Sequence, residues 1–191
     1  MEKTKEELRE EKKQAANAKK EEEIPFIIRK AKITNEDTLV VEYSRNGDAV
    51  TIKRKSLIHP DLKDAFEELV PHFALLCDLK EVKNITGLFQ DVNIVNKERL
   101  RVTCISLDKS AEDSTGVILT GIKQIGTGAR QITLNSPFTS FAGENEEYPF
   151  SGLLSKAVDA VKDEVILYLK GKHAEPAQKV LELGETSEDE I

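Results

Sequence analysis

The stretch LVVEYSRNGDAVTIKRK, Leu39 to Lys55, decides the fold class of this chain. Apolar and polar residues alternate on both sides of Asn46-Gly47, and both of these turn residues tolerate a positive φ. We therefore expect a β-hairpin, with one strand at residues 39–43 and the next at residues 49–55.

The same pattern extends outward from this hairpin. Residues 26–34 predict a strand before it, and an apolar period of three and four from Pro60 to Cys77 predicts a helix after it. Pro60 suits the first helical turn. Pro71 interrupts the period, so we expect either a kink near Val70 or two short helices in line.

A second copy of this order occupies the second half of the chain. Residues 100–107, 116–125 and 130–135 predict three strands, and a helix is expected from Ser151 to Leu169. Ser151 is the expected N-cap of this helix, and Lys170-Gly171 its end.

Together these elements predict an α+β fold, a single domain of about six mostly antiparallel strands covered by two amphipathic helices. The domain is expected at residues 25–173, with halves at 26–79 and 99–170. Two arrangements remain open. One is an OB-like barrel with an added terminal helix, and the other, which we favour, pairs two duplicated β-β-β-α halves about a pseudo-twofold axis. Residues 80–98 are not assigned beyond a short helix or an extra strand.

Both ends of the chain are charged and poor in apolar residues. Residues 1–24 predict a partly helical or disordered arm, and a partner-binding arm that folds on contact is the alternative. Residues 174–191 predict an acidic disordered tail. No apolar run reaches the roughly 20 residues that a bilayer-spanning helix needs, and the N-terminal region lacks the apolar core of a signal peptide. We therefore expect no membrane partner and a cytoplasmic location.

Residues for metal binding or catalysis show no recognisable constellation. Cys77 and Cys104 have no metal-type spacing and are expected to be reduced core thiols. The three histidines form no ligand set. The glycines between Gly121 and Gly128 lack the Lys-Ser or Lys-Thr of a phosphate-binding loop and predict a tight hairpin. We expect no enzyme, no cofactor and no metal.

One side of the predicted first sheet is basic. Val50 and Ile52 face the core side of the third strand, which leaves Lys53 and Lys55 on the opposite, wet side. In the first strand, the phase that buries Ile27, Ala31 and Ile33 turns Lys30 and Lys32 outward. Tyr43 is expected among these lysines if the odd-numbered residues of its strand are the exposed ones. Lysines beside an aromatic are the pairing that holds single strands by phosphate contact and base stacking. An ordinary exposed or protected sheet edge also carries lysines.

The last residues of the chain give a second hint of binding. Glu188, Asp189, Glu190 and Ile191 form an acidic end with an aliphatic last residue. This end resembles the acidic tails of bacterial and phage single-strand binding proteins, although Ile191 stands where a terminal Phe is usual. The resemblance covers about eight residues and implies recruitment of a protein partner through the tail.

These observations predict a non-enzymatic binding protein, a single-stranded nucleic-acid-binding accessory with a basic sheet face. The alternative is a protein-protein interaction or regulatory module with no nucleic-acid contact. A small-molecule binder, with its pocket between sheet and helices, is a third possibility. Four aromatic residues near the loop at 136–151 are expected either to anchor that loop or to stack on bases: Phe138, Phe141, Tyr148 and Phe150.

Overall fold

The computed structural model describes residues 25–34, 38–55, 57–79, 82–84, 89, 93–94, 96–108, 115–126, 130–141 and 148–174. The predicted arm at 1–24 and the tail beyond residue 174 lie outside these ranges. The strands are β1 (Ile27–Ile33), β2 (Leu39–Arg45), β3 (Asp48–Arg54), β4 (Val82–Asn84), β5 (Asn93–Ile94), β6 (Leu100–Leu107), β7 (Gly116–Ile125), β8 (Arg130–Asn135) and β9 (Thr139–Ser140). The helices are α1 (Pro60–Glu68), α2 (Val70–Leu76) and α3 (Ser151–Leu169), and Lys97–Arg99 forms a short 3-10 turn.

Seven strands form one antiparallel sheet in the order β3-β2-β1-β6-β7-β8, with β9 also paired to β7. The first strand of each half lies at the centre, where Ala31 of β1 is opposite Ile105 of β6. This order sets the two three-stranded halves side by side, as in the favoured arrangement of two β-β-β-α halves. The OB-like barrel is not formed, because the sheet stays open and no ladder joins β3 to β8 in the described part of the chain. The α+β prediction is confirmed.

The strand and turn chemistry of the first hairpin is as its sequence predicts. Asn46 and Gly47 adopt φ of 55° and 84°, which a two-residue hairpin turn requires. A β-bulge interrupts the β1–β2 ladder between Ile28 and Lys30. Because the bulge shifts the phase by one residue, the core residue at this end is Ile28, only 1% exposed, and not Ile27 as we expected.

The helices pack on one side of the sheet. Helices α1 and α2 lie against β6, and α3 packs against α1. A single apolar core contains residues from the sheet and from all three helices. Its largest fully buried side chains include Tyr168, Phe73, Ile28, Leu39, Leu62 and Leu69. None of the helices in the described ranges combines the length and the hydropathy of a transmembrane span.

The helix ends follow from local sequence, with one exception. The Pro71 interruption divides the first helix into α1 and α2, joined at Leu69. Helix α3 ends in a Schellman motif at Gly171, whose φ is 109°, with the Lys172 N–H donating to the Leu167 carbonyl at 2.9 Å. The N-cap prediction for Ser151 is wrong: Phe150 occupies the cap, and Ser151 is the first helical residue and is buried.

Candidate nucleic-acid interface

The side of the sheet opposite the helices carries a continuous row of register partners across six strands. From one edge to the other the row contains Lys53, Val40, Lys32, Cys104, Thr120 and Asn135. Lys32 and Lys53 are exposed, whereas Ala31 and Ile33, on either side of Lys32, belong to the core. We call this side the outer face.

A second row on the outer face contains Lys30. Its neighbours are Glu42 on β2 and Ser106 on β6, and Thr51 of β3 is opposite Glu42. The Lys30 Nζ lies 3.3 Å from a carboxylate oxygen of Glu42, and both side chains remain about one-third exposed. The structure therefore brings Lys30, Lys32 and Lys53 onto one face, with one carboxylate between them.

Lys55 lies outside this arrangement. It follows the last residue of β3 and is exposed, but it has no register partner in the ladder.

Tyr43 does not lie among the lysines. Its register partners are Ile28 and Val50, and it packs against the core on the helix side of the sheet. The ring of Phe26 meets it edge-on, with 5.2 Å between ring centroids. The even-numbered residues of β2 lie on the outer face, so the odd-numbered Tyr43 is on the opposite side from the lysines and the expected stacking position is wrong.

Small polar residues of β6, β7 and β8 extend the outer face across the second half of the sheet. They were not among the predicted site residues. The Thr120 hydroxyl donates to Asn135 Oδ1 at 2.8 Å. Ser106 lies beside Cys104, with 3.7 Å between the hydroxyl oxygen and the sulfur. Burial raises the pKa of the Cys104 thiol, while the charges of Lys30 and Lys32 act in the opposite direction. Alternation along residues 100–107 would place Cys104 and Ser106 on the core side with Leu100 and Val102. The bulge between Val102 and Cys104 moves them to the outer face, so the sequence carried no signal for them.

The aromatic residues near the loop at 136–151 mostly anchor it. Tyr148 is buried, and Phe141 and Phe150 pack against the core. Phe138 is half-exposed, and its ring lies over Gly116, where a Cβ would come within 2.4 Å of it. None of the four belongs to the rows of the outer face, so a base-stacking role finds no support in their positions.

The chemistry that this face offers is binding of negative charge by three ammonium groups and by neighbouring hydroxyl and amide groups. No cluster of three or more metal-ligating side chains occurs within the described ranges. Glu188, Asp189, Glu190 and Ile191 lie outside the described residues. Comparison of the chain with protein-family models, with curated proteins and with solved structures found no match.

Proposed function

We propose that this chain is a non-enzymatic, cytoplasmic accessory protein that binds the backbone of single-stranded nucleic acid on its outer face. The observation that supports the proposal most directly is that Lys30, Lys32 and Lys53 lie on the same side of the sheet, opposite the helices. Their register pairs, Lys30 with Glu42 and both Lys32 and Lys53 with Val40, define this common side. Lysines dispersed around the molecule would have given no such face.

The spacing of the lysines suits contacts to several phosphates. Neighbouring strands lie about 4.8 Å apart, so Lys32 and Lys53, which β2 separates, start about 10 Å apart. Lys30 lies two residues from Lys32 along β1, about 7 Å away. A flexible, negatively charged backbone can contact all three ammonium groups, whereas a single small anion cannot.

The mode of binding follows from what the outer face lacks. No aromatic side chain occupies its two described rows. Base stacking therefore adds little, and the affinity depends on phosphate contacts, which are insensitive to base sequence and sensitive to salt. The proposed protein is an accessory with modest affinity.

The acidic tail is proposed to recruit a protein partner and to compete with nucleic acid for the lysines. The N–H of Ala174 donates to the carbonyl of Leu57 at 3.2 Å. Leu57 lies in the connection between β3 and α1, so Ala174 lies near the C-terminal end of β3. Five acidic residues and one basic residue follow between positions 176 and 191.

A salt series on a fluorescent oligothymidylate tests the proposal. Three neutralised phosphates predict a slope of about −2 in log affinity against log salt concentration for a single strand. The double variant Lys32→Gln/Lys53→Gln should reduce the magnitude of this slope and weaken binding at low salt by about tenfold. The double variant Lys156→Gln/Lys170→Gln removes the same two charges from α3 and its C-terminal end and serves as the matched control. Failure of both the full chain and the chain lacking residues 176–191 to bind at low salt would end the proposal.

One observation favours the second candidate, a protein-interaction module. Ile132 on the edge strand β8 and Ile125 at the end of β7 are both exposed, at 39% and 43%. An open strand edge with exposed apolar side chains is a template for pairing with another chain. Capture of a protein by the full chain, lost on Ile132→Lys and accompanied by no oligonucleotide binding, would favour this module over the nucleic-acid accessory.

A further inference from the structure

The two halves of the sheet are staggered where they meet. The β1–β6 ladder pairs only Lys30–Lys32 with Cys104–Ser106, although β6 begins at Leu100. The last pair of this ladder is Lys32 with Cys104, so the four residues 100–103 of β6 have no register partner in β1. Helices α1 and α2 pack against β6.

At the other end of the β1–β6 ladder, a side-chain hydrogen bond links β1 to the residue that follows β6. Arg29 precedes the paired stretch of β1, and its Nη1 donates to the carbonyl of Asp108 at 2.9 Å. The carboxylate of Asp108 in turn accepts from the N–H of Thr115 at 2.8 Å. One end of the junction is thus bridged by hydrogen bonds.

The end beside Leu100 contains a cavity of about 580 Å³. Its floor is apolar and comes from β1, β6, α1 and α2. The floor residues are Ile33, Phe66, Val70, Leu100 and Val102, and each is less than 10% exposed. The volume lies in the range of roughly 300–1,000 Å³ that is typical of small-molecule sites.

Charged groups surround the mouth of the cavity. Lys63 and Glu67 come from α1, Lys97 and Glu98 from the 3-10 turn, and Arg101 from β6. Three cations against two carboxylates leave one excess positive charge. Thr103 also lines the cavity, but its hydroxyl already donates to the Thr120 carbonyl at 3.3 Å. The mouth therefore favours one negative charge and disfavours several.

We propose that this cavity binds a small amphipathic monoanion, an aliphatic or aromatic carboxylate whose apolar body lies on the floor and whose carboxylate meets Lys97. The apolar floor gives affinity by burying the body of the ligand. Lys97 is exposed on a three-residue turn, which lets its ammonium group reach an anion without displacing a core residue. The site is separate from the outer face, because its floor residues belong to the core.

Isothermal titration of the full chain with decanoate and with decanol tests the charge preference. Decanoate should bind saturably and about tenfold more tightly than decanol at low salt, a difference of about 1.4 kcal/mol. Lys97→Glu should remove this preference, because it replaces the cation at the mouth by a third carboxylate. Lys170→Glu makes the same charge change at an exposed position on the end of α3 and should leave both affinities unchanged.

Nuclear Overhauser contacts from the decanoate chain locate the ligand. Contacts to the methyl groups of Val70 and Val102 support the proposal. A shallower depression that also includes Lys97 is lined by Phe89 and Leu153, and contacts to these residues alone would overturn it. Absence of saturable decanoate binding, or equal affinity of the wild type and Lys97→Glu, would overturn it as well.

Discussion

The hydroxyl of Tyr148 lies 2.6 Å from Nδ1 of His72, within a hydrogen bond that joins α2 to the segment preceding α3. The Phe89 ring stacks on the imidazole, with 4.3 Å between centroids. His72 is only 1% exposed. A buried imidazole with one neutral hydrogen-bond partner is stable in its uncharged form and costly to protonate.

Acid should destabilise the fold through His72. Burial lowers the pKa of His72 from 6.5 to about 4 in the folded protein. Between these values the unfolded chain takes up a proton that the folded chain does not, so the free energy of unfolding falls as the pH falls from about 6.5 to about 4. The loss approaches about 3 kcal/mol. Urea titrations at pH 7 and pH 4.5 measure it.

The double variant His72→Phe/Tyr148→Phe removes both hydrogen-bonding groups and provides the control. It should lose much less stability than the wild type between the two pH values, because it has no imidazole at position 72 to protonate. The carboxylates titrate in both proteins and do not contribute to the difference. An identical pH dependence in the two proteins would contradict the assignment to His72.

Gly121 is expected to be intolerant of a side chain. A Cβ at this position would lie 2.6 Å from a carbon of the Phe73 ring and 2.9 Å from the backbone oxygen of Arg101. Because the second contact is with backbone, Gly121→Ala should destabilise the protein by about 1–3 kcal/mol. Thermal unfolding followed by circular dichroism measures the loss.

The matched control is Gly152→Ala in the first turn of α3. Among the described residues outside the backbone of α3, no atom lies within 4 Å of a Cβ added there, and alanine favours helix over glycine by up to about 1 kcal/mol. The melting temperature should therefore stay the same or rise. Equal losses at the two positions would show that contact with Phe73 and Arg101 is not the cause.

Glu42 should oppose binding of nucleic acid to the outer face. Its carboxylate is 3.3 Å from Lys30 Nζ, so it offsets part of the Lys30 charge and repels phosphate. Glu42→Gln is expected to tighten oligothymidylate binding about three- to fivefold at low salt, with a smaller gain at high salt. Fluorescence anisotropy gives both affinities, and weaker binding would contradict the proposed role of this face.

Tyr43 should contribute to stability and not to binding. Its ring packs against Phe26 and the core on the helix side of the sheet. Tyr43→Ala is therefore expected to lower the melting temperature, while Tyr43→Phe leaves oligonucleotide affinity unchanged. A loss of affinity in the well-folded Tyr43→Phe variant would show that the tyrosine hydroxyl contacts nucleic acid after all.

Removal of residues 176–191 should tighten binding. The deletion takes away five acidic side chains and one basic side chain, and a competing polyanion is lost with them. A tail of equal length in which the acids become Gln and Ser should behave like the deletion. If this neutral tail instead behaves like the wild type, charge competition is excluded.

Much of the fold was predictable because local chemistry determines it. Strands β6, β7 and β8 and helix α3 have the predicted bounds, since period-two and period-3.6 patterns and the Asn46-Gly47 turn are local signals. Two errors share a cause that is not local. The first error was to predict Ile27 as a core residue, whereas the bulge in β1 makes it Ile28. The second was to expect Tyr43 beside the lysines, whereas its side of β2 faces the core. Both depend on how strands pair, which the sequence of one strand does not encode.

The candidate sites divide in the same way. The common side of Lys30, Lys32 and Lys53 was predictable from alternation within single strands. The cavity beside Leu100 was not, because it results from the offset between β1 and β6 and from the position of α1 above them. No motif records such an offset.

The pairing of Ala31 with Ile105 has a consequence for the electrostatics of the whole molecule. Ala31 is fully buried and belongs to the three pairs that make the two half-sheets continuous. Sliding β1 by a single residue against its neighbours would exchange its two sides, putting ammonium groups under the helices and methyl groups in water. The register of β1 therefore decides on which side of the sheet the charges of Lys30 and Lys32 lie.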